Sequence, residues 1–186
     1  MDSYSVGKMA GLVTGIVIGL IACIFLIKFM NKDSKLKTKY DERQEAVRGK
    51  GYMFGFWGCL IGACLVMIAD CGGFAVANRF VMDFFIIFIG IITQVTYCIW
   101  NDGYYGINTN KKRFYIISIA AALVNLLAVF GNIKSGQFIV EDVVQDAGVN
   151  LLCFILFLVI GVELIIKELI DKRTETVGDE SEESEE

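Results

Sequence analysis

Five long apolar blocks separated by short charged segments dominate this sequence: Met9 to Ile27, Gly51 to Ala69, Phe80 to Trp100, Phe114 to Gly131 and Val149 to Ile170. Each is close to the roughly 20 residues that carry a helix across about 30 Å of hydrocarbon. A water-soluble core helix would place a polar residue every few positions, whereas these blocks are apolar on all sides. Lipid offers backbone N–H and C=O groups no outside partner, so such segments must close their hydrogen bonds internally, as helices. The fold expected is all-α: an integral membrane helical bundle of about five transmembrane helices.

The spans 9–27, 51–69, 80–100, 114–131 and 149–170, with a linker at 28–50, make residues 1–174 a single transmembrane domain. The first block has no small-residue cleavage site and is followed, not preceded, by the main basic cluster, so it reads as a retained span. Hydrophobic residues form 55% of the chain, more than a soluble domain carries. The net charge of −4 hides an asymmetry: the segment 175–186 holds seven acidic residues and no basic one, and is expected to be a disordered acidic tail.

Lysine and arginine set the orientation. Eight lie between Lys28 and Lys50, three at Lys111, Lys112 and Arg113, and three at Lys167, Lys172 and Arg173; the opposite side has Lys8, Arg79 and Lys134. The basic-rich side is expected to be cytoplasmic, with the N-terminus outside and the C-terminus inside. Tyr52, Trp57, Tyr97, Trp100, Tyr104, Tyr105 and Tyr115 gather at that border, where a ring can be buried with its polar tip wet. The opposite loop, 132–148, mixes apolar and acidic residues and is expected to form a short surface helix or to extend the fifth span.

Glycine recurs every fourth residue in the first span, at Gly7, Gly11, Gly15 and Gly19. Such a stripe lets another helix approach closely. The second span has its own stripe at Gly51 and Gly55, with Gly58 and Gly62 beside it, and the two stripes are expected to pack on each other in preference to a second copy of the chain. Four polar groups inside the blocks are candidates for function, because burying them in lipid is costly: Asp83, Gln94, Asn125 and Glu163. The local readings are an Arg79–Asp83 pair, a Glu163–Lys167 pair, and interhelical hydrogen bonds for Gln94 and Asn125.

The linker contains Asp41, Glu42, Arg43 and Gln44, then Arg48 and Lys50. Asp41 three residues before Gln44 fits a capping box, with Glu42 at the positive end of the helix dipole and Glu45 one turn from Arg48. This run, D-E-R-Q followed by R-G-K and an aromatic-rich span, resembles small multi-spanning membrane proteins of Gram-positive bacteria. The resemblance implies a bacterial plasma membrane and no particular activity.

Histidine is absent, the six cysteines form no C-x-x-C pair, and no nucleotide, hydrolase or zinc-protease motif occurs, so no cofactor, metal or catalytic residue is expected. No basic run with interleaved aromatics suggests nucleic acid. The expected partners are the lipid bilayer and either a second copy or another membrane protein. The function expected is a non-enzymatic helix-packing or partner-binding membrane component, with a small transporter or channel for protons or cations as the alternative.

Overall fold

The computed structural model describes the backbone of residues 3–183, and side chains for residues 7, 9–11 and 13–174. Among them run five helices: α1 (Ser3–Met30), α2 (Glu42–Cys71), α3 (Arg79–Trp100), α4 (Lys111–Lys134) and α5 (Gly148–Glu183). All five are long and apolar enough to cross a membrane. The chain is therefore an all-α, multi-pass membrane protein. Each helix is longer than its apolar block because polar residues at the borders continue it, as in the first two turns of α2. α5 likewise continues to Glu183, into the segment expected as a disordered tail; glutamate is a good helix former, and residues 184–186 lie outside the described residues.

Side-chain caps set three helix starts. Asp41 accepts from the Gln44 N–H at 2.6 Å while the Gln44 side chain accepts from the Asp41 N–H at 3.3 Å, the capping box expected from the sequence. Asn78 caps α3 through the Val81 N–H, and Asn110 caps α4 through the Arg113 N–H. Each such cap contributes about 1 kcal/mol.

α2 packs most extensively on α3, α4 on α5, and α3 on α5. Phe88, Ile99, Leu156, Ile160 and Leu164 form the buried centre between α3 and α5. Large apolar side chains elsewhere, such as Ile68, Ile116 and Leu127, point outward, as a lipid-facing surface requires.

The α2 glycines pack on α3, not on α1 as the sequence suggests. A methyl group at Gly55 would lie 3.1 Å from the Gly90 carbonyl oxygen, one at Gly62 would lie 3.2 Å from Ile86 Cα, and one at Gly58 would strike the Thr93 hydroxyl. The Thr93 hydroxyl meets the Phe54 carbonyl across this contact at 3.3 Å. The physical reason is chain connection: α2 and α3 are joined by the tight turn 72–78, with Gly73 at φ +71°, so the local hairpin claims the stripe first. Among the described residues, nothing outside the backbone of α1 itself lies within 4 Å of where a side chain would start at Gly7, Gly11, Gly15 or Gly19. Among the described residues α1 makes a light contact with α4.

The loop after α4 also departs from expectation. It holds a small antiparallel hairpin, β1 (Ile139–Val140) and β2 (Val143–Val144), instead of a surface helix. Glu141 and Asp142 both take positive φ, 50° and 61°, the backbone of a tight two-residue turn, and the β-branched residues on either side favour strand. Val144 exchanges backbone hydrogen bonds with Val76 and Asn78, and the Asn78 amide donates to Asp146 at 2.6 Å, so this hairpin is stitched to the α2–α3 turn.

Candidate functional site

At the opposite, basic-rich end, the linker after α1 and the loop between α3 and α4 are knitted together. Asn110 N–H donates to the Met30 carbonyl, Lys32 N–H to the Asn108 carbonyl, and Ile107 N–H to the Lys39 carbonyl. The Asn108 side chain accepts from the Lys39 N–H and donates to Asp33 and the Lys37 carbonyl. Close approach needs glycine here: a methyl group at Gly106 would sit 2.7 Å from the Lys39 carbonyl oxygen. Asn31, only 1% exposed, donates to the Lys35 carbonyl at 2.8 Å and so fixes the first turn of the linker.

Asp102 is the hub of this end. α3 stops with Asp102 N–H on the Ile99 carbonyl and Gly103 N–H on the Cys98 carbonyl, the pattern of a Schellman stop, which puts Asp102 in the left-handed region at φ 58°. A non-glycine residue there is strained by about 1 kcal/mol. Its carboxylate then meets Lys167 at 3.1 Å and Arg43 at 3.3 Å, joining α3, α5 and the start of α2. Burial works to raise the Asp102 pKa, but the hydrogen bonds from Lys167 and Arg43 outweigh it and hold the carboxyl below its ordinary range. Gln44, besides closing the capping box, donates to the carbonyls of Asp102 and Tyr105.

Tyr104, Tyr105 and Phe114 stack edge-on against one another at 5.3 to 5.5 Å between ring centres. Beside them opens a cavity of about 760 Å³ between the linker, the α3–α4 loop and the facing ends of α4 and α5. Its floor is apolar, at Ile99 and Leu164, and its walls carry charge of both signs. The Tyr105 hydroxyl is buried with no hydrogen-bond partner; burial pushes its pKa well up, and the neighbouring Tyr115 adds to the rise without reaching hydrogen-bond geometry.

Of the sequence-based candidates, Gln44 lines this cavity and Arg43 holds Asp102 beside it, whereas the four polar groups inside the spans lie elsewhere. Asp83 pairs with Arg79 at 3.1 Å, as expected, and Arg79 also holds Asp70 at 3.0 Å. Glu163 does not pair with Lys167. It accepts from the Thr96 hydroxyl at 2.8 and 3.0 Å, while Lys167 takes Asp102 and, at 2.9 Å, Asp171. The correction has a simple cause: two carboxylates already surround Lys167 nearer the helix end. Asn125 donates to the Ala121 carbonyl of its own helix, and Gln94 lies along Gly51 and Gly55 in the α2–α3 contact. Arg48 lies over the Tyr40 ring at 4.1 Å and donates to the Tyr52 hydroxyl, a border anchor in place of the expected approach to Glu45. Glu42 and Lys50 are exposed along α2.

Asp102 escapes the sequence reading, and Tyr105 and the lysines of the cavity enter it only as border residues. The Asn101–Asp102–Gly103 run is a turn signal, but its partners Arg43 and Lys167 lie 59 residues before it and far along α5. Among the described residues no cluster of three metal-binding side chains occurs. No family model, no curated protein and no solved structure matches the chain.

Proposed function

We propose that this chain is a non-enzymatic membrane component that assembles with a second copy of itself through α1. One observation carries the reading: of two glycine stripes in the same molecule, the one on α2 is filled by α3 and the one on α1 is open along its whole length. The internal partner expected for α1 is already taken. A stripe of glycines is complementary to its own copy, since two flat helices can approach until backbones touch, the geometry of right-handed small-residue dimers in lipid. Lipid tails are as apolar as the side chains of α1, so hydrophobic burial gives no drive; close packing along the stripe supplies it.

The run Asp41 to Lys50 and its resemblance support a bacterial plasma membrane, and the lysine and arginine asymmetry supports placing the basic-rich end, with the C-terminus, in the cytoplasm.

Cys23 continues the register of the stripe and is exposed. A variant keeping Cys23 and replacing the other five cysteines should form a disulfide-linked dimer when membranes are treated with a mild oxidant. Adding Gly11→Leu and Gly15→Leu should abolish that dimer. Equal cross-linking with and without the leucines, or none in the parent, would refute assembly through α1.

A further inference from the structure

We propose that the cavity at the basic-rich end binds a phosphate-bearing group. The argument is one of uncommitted charge. Every carboxylate in its lining is already engaged: Asp102 by Lys167 and Arg43, Asp171 by Lys167, and Glu168 by Lys172 at 3.0 Å and by the Tyr115 hydroxyl at 3.2 Å. Three lining lysines are not so engaged. Among the described residues, Lys32, Lys111 and Lys112 have no carboxylate within ion-pair distance. The charge left facing the cavity is positive, so the ligand is an anion.

Size and depth narrow the class. A volume of about 760 Å³ exceeds the need of a bare small ion and falls in the range of ligand sites. The cavity lies where α4 begins and α5 leaves the bundle, the level at which lipid phosphates sit, and a basic pocket between spans on this side suits an anionic headgroup. Tyr105 and Tyr115 line the same space and give it an aromatic wall beside the lysines. Lys111, 5.4 Å over the Tyr105 ring, sets one of the three ammonium groups against that wall. Tyrosine edges and an apolar floor accommodate the glycerol or sugar that carries the phosphate. The same chemistry is offered by a lipid headgroup and by a free phosphate, and the experiment separates them. This site is distinct from α1, so the inference does not rest on self-assembly.

The test uses the full chain in a neutral detergent, titrated with short-chain phosphatidylglycerol, short-chain phosphatidylcholine and inorganic phosphate, with intrinsic tyrosine and tryptophan fluorescence as readout. Saturable binding of phosphatidylglycerol but not phosphatidylcholine supports the site with a lipid headgroup as its source. Saturable binding of inorganic phosphate supports it with a free phosphate as its source. Replacing Lys32, Lys111 and Lys112 by glutamine should weaken the binding at least about tenfold, a loss of roughly 1.4 kcal/mol. Lys134→Gln, at the opposite end, should leave it unchanged. Should the triple variant fail to fold, the exposed single variant Lys112→Gln and a salt titration of the parent replace it, each expected to weaken binding severalfold. Binding of neither anionic probe, equal binding of phosphatidylcholine, or indifference to the lysine changes and to salt would overturn the proposal.

Discussion

Helices α1 and α2 carry glycine at almost the same spacing, yet one stripe is packed to backbone contact and the other faces open space. The stripe alone therefore does not choose a partner. α2 finds α3 because seven residues join them and because α3 presents Gly90 and Thr93 at matching heights. α1 is joined to α2 by a linker that is tied down elsewhere, on the α3–α4 loop, and this holds the end of α1 without turning its glycines inward. A small-residue face supplies the capacity for close approach; connection and a complementary surface decide what comes close.

Five substitutions bear on that contrast, four in falling order of expected effect and the fifth as the counterpart of the last. Gly58→Leu should destabilise the α2–α3 contact by about 3 kcal/mol, the upper range for overpacking, because even its first carbon meets the Thr93 hydroxyl and the Ile89 carbonyl. Unfolding in mixed micelles, followed by circular dichroism, reads this, and a loss under about 1 kcal/mol would mean the stripe is not tightly filled. Asn31→Ala should cost about 1.5 kcal/mol, since a buried side chain loses its hydrogen bond to the carbonyl of exposed Lys35. Faster amide exchange in the linker and the α3–α4 loop together, with α2 and α3 unchanged, would show that α1 is held by its end alone.

Asp102→Asn should cost about 1 kcal/mol; the carboxylate is half exposed, and ion pairs of that kind are screened. Its pH dependence has a definite sign. The folded-state pKa is lowered, so the stabilisation is complete above the ordinary aspartate range and disappears as pH falls through the lower folded value. Stability of the linker should therefore be flat around neutrality and decline only in acid, with that acid decline reduced in the Asn variant. Gly15→Ala comes last: with nothing within 4 Å, it should shift monomer stability by no more than about 0.5 kcal/mol. The same change at Gly51 brings a carbon to 2.6 Å from the Cys98 sulfur and should cost more, a penalty that Cys98→Ala relieves.

What could be read beforehand follows from distance along the chain. The five spans, the Asp41–Gln44 box and the Arg79–Asp83 pair depend on residues within a few positions of each other, and each is where the pattern placed it. The Glu163–Lys167 pair had the same local geometry and failed, because Thr96 and Asp102 reach those side chains from other elements. The hairpin at 139–144 failed for a different reason: its turn is Glu141–Asp142, without the glycine or asparagine that usually betrays such a turn. The cavity could not be read at all, since the linker, the loop and α5 meet there only after the bundle has formed.

The knot between linker and loop also bears on how the chain is made. Lys39 waits for Asn108, 69 residues further on, and Asp33 for the same side chain at a separation of 75. Until Asn108 has been synthesised, the stretch after α1 has only its local contacts, such as Asn31 on the Lys35 carbonyl and Arg48 over Tyr40. The bonds that join the linker to the rest of the bundle through Asn108 thus become available only after three helices have been made.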